Sequence, residues 1–337
     1  MITACNHHHL SFSSSFWQAL VFSVDVAIGL PINIPFVITS EKVTQSIPIN
    51  KEMETERKLP PNINNLPEDC LAEVLSHTGP VESCRLATVS PAFNSASQSS
   101  AVWNKFLPPD YRRILTRSSS DAAAAGRDSL SKKQLFFALC QHPVLIDNGS
   151  KSFSLDKRTG KKCFMLSARE LRIVWGDTPL YWRWNSDHPN SRFGEVAELL
   201  DVCWFEIRGK IETQMLSPST QYAAYLVFKY FPERNSGGGF HRQGFTATVG
   251  ATGSEEVSKR TVGLEIGTGD RRRHFGRPKG KEELPNERRD GWIEAELGEF
   301  FVGDEGEEEE VEMRLKEVVA GPKSGMVVLG MEIRPKH

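Results

Sequence analysis

The chain has 337 residues, 39% of them hydrophobic and 25% charged, with a formal net charge of -2 at pH 7. That length allows two domains of ordinary soluble composition, and the near-neutral balance excludes a chain-wide attraction to nucleic acid or anionic membrane, leaving only local patches. Six cysteines, Cys5, Cys70, Cys84, Cys140, Cys163 and Cys203, stand singly with no CxxC pair, which suits a reducing compartment better than a disulfide framework.

Taken in chain order, residues 16–38 are long enough to raise the question of a membrane span. They contain Asp25, Pro31, Asn33 and Pro35, so no crossing is expected. No basic segment precedes this apolar run and no small-residue cleavage site follows it, which argues against a secretory signal. An organellar transit segment stays open. His7, His8 and His9 sit in low-complexity sequence without partners at ligand spacing, and no metal or cofactor is expected. Met53 opens "METERKLPPNINNLPED" just before the first patterned segment, so residues 1–58 are expected to be a disordered extension.

Residues 60–110 predict three helical segments. In "NNLPEDCLAEVLSHTGP", Asn65 is the expected cap, with Glu68 three residues on and Pro67 in the first turn. Leu71, Val74 and Leu75 give an apolar face, and Gly79-Pro80 ends the helix. Leu86, Val89, Phe93 and Ala96 continue the helical spacing, with Pro91 placed to kink or divide the segment. Val102, Trp103, Phe106 and Leu107 form the third cluster. So small a core is marginal alone and gains from docking on a partner. Residues 111–150 read as a linker, "TRSSSDAAAAGRDS", followed by one apolar helix around Leu135 to Leu139.

From 151 to 337 the texture changes to short alternating segments joined by Gly-rich connections, which predicts a β-sandwich or jelly roll. The best strands are "YAAYLVFKYF", "WIEAELGEFF", "VEMRLKEVV" and "MVVLGMEIRP". Ile293, Ala295 and Leu297 should face inward while Glu294 and Glu296 face water. Three of the seven tryptophans, Trp175, Trp182 and Trp184, fall within ten residues of "RELRIVWGDTPLYWRW". Buried core and stacking platform are both open for them. The cluster Arg271, Arg272, Arg273, Arg277, Lys279 and Lys281 reads as a nuclear import signal, a nucleic-acid contact or a solvated loop.

The segment "LPEDCLAEVLSHTGPVESCRLATVSPAFNSASQSSAVWNKFLP" resembles an F-box. The region after 160 resembles the phloem protein 2 and Nictaba lectin family of plants, on "ARELRIVWGDTPLYWRW", "EVAELLDVCWFEIRGKIET", "YAAYLVFKYF", "DGWIEAELGEFF", "VEMRLKEV" and "GMEIRPK". Together they imply a small all-α F-box followed by an all-β lectin-like domain. The resemblance implies a non-catalytic substrate-recognition subunit of a Skp–cullin–F-box ubiquitin ligase. Leu66, Pro67, Leu71, Val74 and Leu75 would contact the Skp-type adaptor. It further implies a sugar site at Trp175, Trp182, Glu310 and Glu317, for N-acetylglucosamine-containing glycans or N-glycosylated targets. Location in cytoplasm and nucleus is expected, with neither membrane nor nucleic acid as partner. Trp184 is then expected to be scaffold.

Strand parity bears on the glutamates. Glu317 falls on the inward face with Val311, Met313 and Leu315, where a carboxylate is costly, so the strand ends or bulges there or Glu317 lines a pocket. Glu310 has the opposite parity and ends the acidic run "DEGEEEE", so it is a ligand or a bystander on a solvated turn. Two other functions compete: an F-box adaptor whose lectin-like domain binds a protein surface, with the Gly-rich insert after Glu233 reshaping the site, and a glycosidase using Glu310 and Glu317 as paired carboxylates.

Overall fold

The computed structural model describes residues 66–118, 129–231, 238–240, 244–254, 257–265, 284–304, 309–319 and 321–337, together with Ile63 and Arg127. The N-terminal extension, the Asn65 cap, the basic cluster at 271–281 and most of the Gly-rich insert lie outside the described residues.

Four short helices form the first unit: α1 (Glu68–Ser76), α2 (Pro80–Leu86), α3 (Pro91–Ala96) and α4 (Ser100–Phe106). Pro67 occupies the cap position of α1 rather than its first turn. The Leu86 to Ala96 segment is divided at Pro91. Pro80 and Pro91 each begin a helix, where the missing N–H has no intrahelical acceptor to lose. The Ser90 hydroxyl accepts from the Phe93 N–H at 3.3 Å, capping α3. Leu71, Leu75, Leu86, Phe93, Val102 and Trp103 are all buried, whereas Val89 falls in the inter-helix turn and is 52% exposed.

This unit does not close its core alone. After α5 (Tyr111–Leu115), the helix α6 (Lys132–Gln141) carries Phe136 and Phe137 against Trp103, at ring centroid separations of 5.2 and 5.3 Å. The Ser131 side chain and Gln134 form a reciprocal capping box that fixes where α6 begins. Asp110 pairs with the buried Lys162 at 3.2 Å. Gly160, at φ +74°, lies so close to Phe106 that a Cβ would stand 2.4 Å from its carbonyl oxygen. Helical unit and strands share one continuous hydrophobic core, so the docking partner demanded by the small helical core is the rest of the chain.

The remainder is two antiparallel sheets. Strands β1 (Val144–Ile146), β2 (Lys151–Leu155), β3 (Lys162–Ser167), β14 (Met326–Pro335), β8 (Thr220–Tyr230), β12 (Ile293–Val302) and β11 (Asn286–Glu287) lie in that order, with β6 (Val196–Leu199) on β14 and β5 (Trp182–Asn185) on β6. The second sheet runs β10 (Ser258–Val262), β9 (Phe245–Ala251), β13 (Glu310–Glu317), β7 (Phe205–Glu212) and β4 (Arg172–Ile173). Strand pairing therefore begins at Val144, ahead of the expected start at 151.

Gly209 of β7 records how closely the sheets pack, since a Cβ there would meet Met331 Sδ at 2.9 Å and Leu171 Cδ2 at 3.0 Å. Ile293, Ala295 and Leu297 point inward as the alternation requires, and a bulge between Glu296 and Gly298 then shifts the register so that Phe300 and Val302 are buried and Phe301 is exposed. Strand β8 departs from simple alternation, with every residue from Tyr222 to Phe228 buried. Its outer side is covered too, because Val227 joins a second cluster with Met165, Phe193 and Trp292.

Candidate functional site

A tight turn after β4 builds an exposed aromatic feature of the C-terminal domain. Trp175 adopts the left-handed conformation, φ +58°, which is rare for a bulky residue. Three hydrogen bonds over-determine it: Gly176 N–H to Ile173 O at 3.0 Å, Thr178 N–H to Trp175 O at 2.9 Å, and the Trp184 indole N–H to Gly176 O at 2.9 Å. Trp184 is itself half-buried, with the Arg169 guanidinium 3.6 Å from its ring centroid and that arginine held by Glu195 at 2.7 Å. Trp184 is thus the clip that presents Trp175, which is 44% exposed.

Beside Trp175 stands Trp204, also 44% exposed, at a centroid separation of 6.5 Å and nearly perpendicular. Tyr181 packs on the other side of Trp175 at 5.2 Å. Trp204 immediately precedes β7 and has the parity of that strand's outward residues, Glu206, Arg208 and Lys210, not of Phe205 and Ile207. A tryptophan on the polar parity of an amphipathic strand is the signal that finds this residue in the sequence, outside the Trp175, Trp182 and Trp184 cluster.

The polar floor of the patch is Glu206, 2% exposed. It accepts from Trp204 Nε1 at 3.0 Å and Arg208 Nε at 2.7 Å, and pairs with Arg314 at 2.7 Å. Burial alone would raise its carboxyl, but the Trp204 and Arg208 hydrogen bonds and the two guanidinium charges hold it below the ordinary carboxylate range. The Lys316 ammonium lies 5.4 Å from the Trp204 centroid.

Of the four residues assigned to a sugar site by resemblance, Trp182 and Glu317 both adjoin Phe205, one by ring packing and the other by strand register, whereas Glu310 lies at the opposite end of β13. Trp182 is 2% exposed and packs against Phe205 with tilted rings 6.3 Å apart, so it offers no face to a ligand: its inward parity on β5 places it in the sandwich core. Glu317 is buried, pairs with the fully buried Lys323, and accepts from Val319 N–H at 2.6 Å. Its inward parity is satisfied by an internal cation rather than by an open pocket. Glu310 is exposed and held by Lys210 and, at 3.0 Å, by Thr252, which together lower its carboxyl. The two glutamates terminate the same strand with opposite parity, roughly 23 Å apart at the usual strand rise. Paired glycosidase carboxylates stand ~5–9.5 Å apart, so this pair cannot perform that chemistry.

In the helical unit, Leu66 and Val74 are half-buried and Pro67 is exposed, so these three of the five expected adaptor contacts reach the surface. Leu71 and Leu75 are 1% and 0% exposed and hold the helical core instead. No helix among the described residues is long and apolar enough to cross a membrane.

Comparison with known proteins agrees with this architecture. The F-box domain model matches residues 63–105 and the Phloem protein 2 model matches residues 161–335. The chain is 47% identical to the F-box protein At2g02240 of Arabidopsis thaliana, over 80% of this chain and 79% of that one. It is 43% identical to the Arabidopsis F-box protein PP2-B10, over 81% and 93%, and 40% identical to F-box protein PP2-B1, over 81% and 89%. Among solved structures, the CBM22-1 xylan-binding domain of Paenibacillus barcinonensis Xyn10C superposes with a TM-score of 0.28 and 9% identity, covering 50% of this chain and 87% of that one, a likeness too low to bear on the ligand.

Proposed function

The chain belongs to the F-box proteins that carry a phloem protein 2 domain, and from that premise we propose that it is a non-catalytic substrate receptor of a Skp–cullin–F-box ubiquitin ligase. The F-box docks on the Skp-type adaptor through the surface that includes Leu66, Pro67 and Val74. The C-terminal domain binds N-acetylglucosamine-containing glycans on target proteins, in the cytoplasm and nucleus.

The observation that carries the carbohydrate half is the pair Trp175 and Trp204, exposed, perpendicular and fixed by Trp184 and Glu206. A sugar ring has an apolar C–H face and a hydroxyl rim. Two indoles at an angle can cover the face and edge of one ring while nearby fixed polar groups meet the hydroxyls. Trp182 and Glu317 act beneath this platform as support, and Glu310 lies at the far end of β13.

The test has two arms. Purified Skp-type adaptor should bind the full chain and lose most of that binding with Pro67→Ala plus Val74→Asp; no binding by the unaltered chain refutes the ligase half. A glycan array probed with the full chain should show binding that Trp175→Ala and Trp204→Ala each abolish. A chain that captures glycosylated and enzymatically deglycosylated targets equally well would be recognising protein surface, and the carbohydrate half would fall.

A further inference from the structure

The outer face of the five-stranded sheet continues from the tryptophans into a row of arginines. In the strand register Arg172 of β4 faces Arg208 of β7, and Arg208 faces Arg314 of β13. The same row passes through Thr248 of β9 to the exposed Lys259 of β10. Like charges directly opposite on neighbouring strands destabilise a sheet, and here three guanidinium groups stand on three adjacent strands.

The charges that face this row do not balance it. Glu206 serves both Arg208 and Arg314. Arg314 Nε remains buried with no hydrogen-bond partner among the described residues. Arg172 is exposed and makes no ion pair or hydrogen bond with the described residues. The next carboxylates along the face are committed or displaced: Glu310 is held by Lys210, and Glu170 by Lys151 at 2.6 Å. Glu312 lies opposite Lys210, one outward row beyond the arginines. Arg172 and Arg208 line the wall of a surface cavity of about 330 Å³ whose rim also carries Lys210 and the carboxylates Glu170, Glu212, Glu310 and Glu312.

The row is in line with the platform. Arg208 follows Glu206 by two residues, roughly 7 Å along the strand, and Glu206 is the residue that Trp204 holds. Lys316, opposite Glu206 in the register, adds a further cation between plates and arginines. A ligand stacked on Trp204 and extended along β7 therefore runs over the Arg208 and Arg314 charges that share Glu206 and onto the Arg172 fork, whose geometry suits bidentate capture of carboxylate or sulfate oxygens.

We propose that the Trp175–Trp204 platform and the Arg172–Arg208–Arg314 row form one site for an anionic oligosaccharide, a neutral ring on the indoles followed by a carboxylate- or sulfate-bearing ring on the arginines. This rests on the carbohydrate reading of the platform and adds to it the charge class of the ligand.

The test uses the full chain on matched pairs of N-acetylglucosamine-containing oligosaccharides that differ only in one added carboxylate or one added sulfate, with a single-stranded RNA oligomer as a non-saccharide polyanion. The acidic member of at least one pair should bind about tenfold more tightly than its neutral counterpart, with a margin that shrinks as salt rises. Arg172→Ala should bring that ratio close to one, and Arg172→Lys should restore only part of it; Arg172 is exposed on a sheet edge, and unchanged melting shows that these variants fold. Whichever of the carboxylate or sulfate arms carries the preference identifies the acid group. Equal binding of neutral and acidic members, or a ratio unmoved by Arg172→Ala, overturns the inference while leaving the carbohydrate reading intact. Absence of binding to every saccharide overturns both, and RNA binding tighter than any saccharide overturns the anionic-sugar assignment in favour of a nucleic acid.

Discussion

Trp182 and Trp175 lie seven residues apart and have opposite physical fates, which makes their alanine variants separable. Removing the buried Trp182 indole from its contact with Phe205 should cost about 3–5 kcal/mol of stability. The exposed Trp175 should cost less than about 1 kcal/mol, and Trp204, which gives up a hydrogen bond to buried Glu206, about 1.5–3 kcal/mol, while binding is lost in both. Thermal melting beside glycan titration separates the two effects. Trp184→Phe should fall between them, because it keeps most of the packing but removes the hydrogen bond to Gly176 that holds the Trp175 turn. Glu317→Ala would leave Lys323 buried without its carboxylate and should destabilise by about 3–5 kcal/mol. Replacing Glu317 and Lys323 together by apolar residues should recover much of that loss, a result that denaturant unfolding of the single and double variants can check. A Glu317 that instead served the ligand would show lost binding at unchanged stability.

Individual elements depend on close approaches that no side chain can share. Gly330 sits at the bulge where β14 hands its edge from β6 to β3, and a Cβ there would stand 1.9 Å from Leu166 O. Because the obstacle is backbone, Gly330→Ala should break part of the β3 pairing and cost at least about 1–3 kcal/mol, readable as loss of amide protection in β3 and β14. Parity sets the faces of individual strands where one face is wet, as in β12 and β13. It does not set those of β8, whose second face is covered by Phe193 and Trp292 from distant loops. The outward parity of Trp204 is legible in the strand pattern, but not its neighbour Trp175. Helix α1 shows the same limit: its apolar spacing predicts a face at Leu71, Val74 and Leu75, but spacing alone cannot say which of these residues an intramolecular core consumes.

At the scale of the whole molecule, the F-box helices and the sandwich share one core through Trp103, Phe136 and Phe137, so heating should unfold them in a single transition. Two well-separated calorimetric transitions would contradict that coupling. Acid should act on the outer faces of both sheets. Burial raises Glu206, Glu294 and Glu296, but the Trp204 hydrogen bond and arginines at Glu206, and arginine and lysine partners at the other two, hold them below the ordinary glutamate value of 4.5. Groups with folded values below their unfolded ones stabilise fully above about pH 4.5, and that contribution is lost as pH falls through the folded values. Melting temperature should therefore stay flat from pH 7 to about 5 and drop below it, with a shallower fall in Glu206→Gln. The shared core also fixes where the tryptophan platform points relative to the F-box helices.

The sequence by itself determined the order of the two domains, the strand faces set by alternation, and the family, because these depend on local periodicity and ordered motifs. Only the tertiary structure decided which tryptophan meets water and which glutamate meets a cation. Trp175 and Trp204 are 29 residues apart, and Glu317 pairs with Lys323 beyond the end of its strand, so their roles follow from strand pairing and sheet packing that no local pattern encodes.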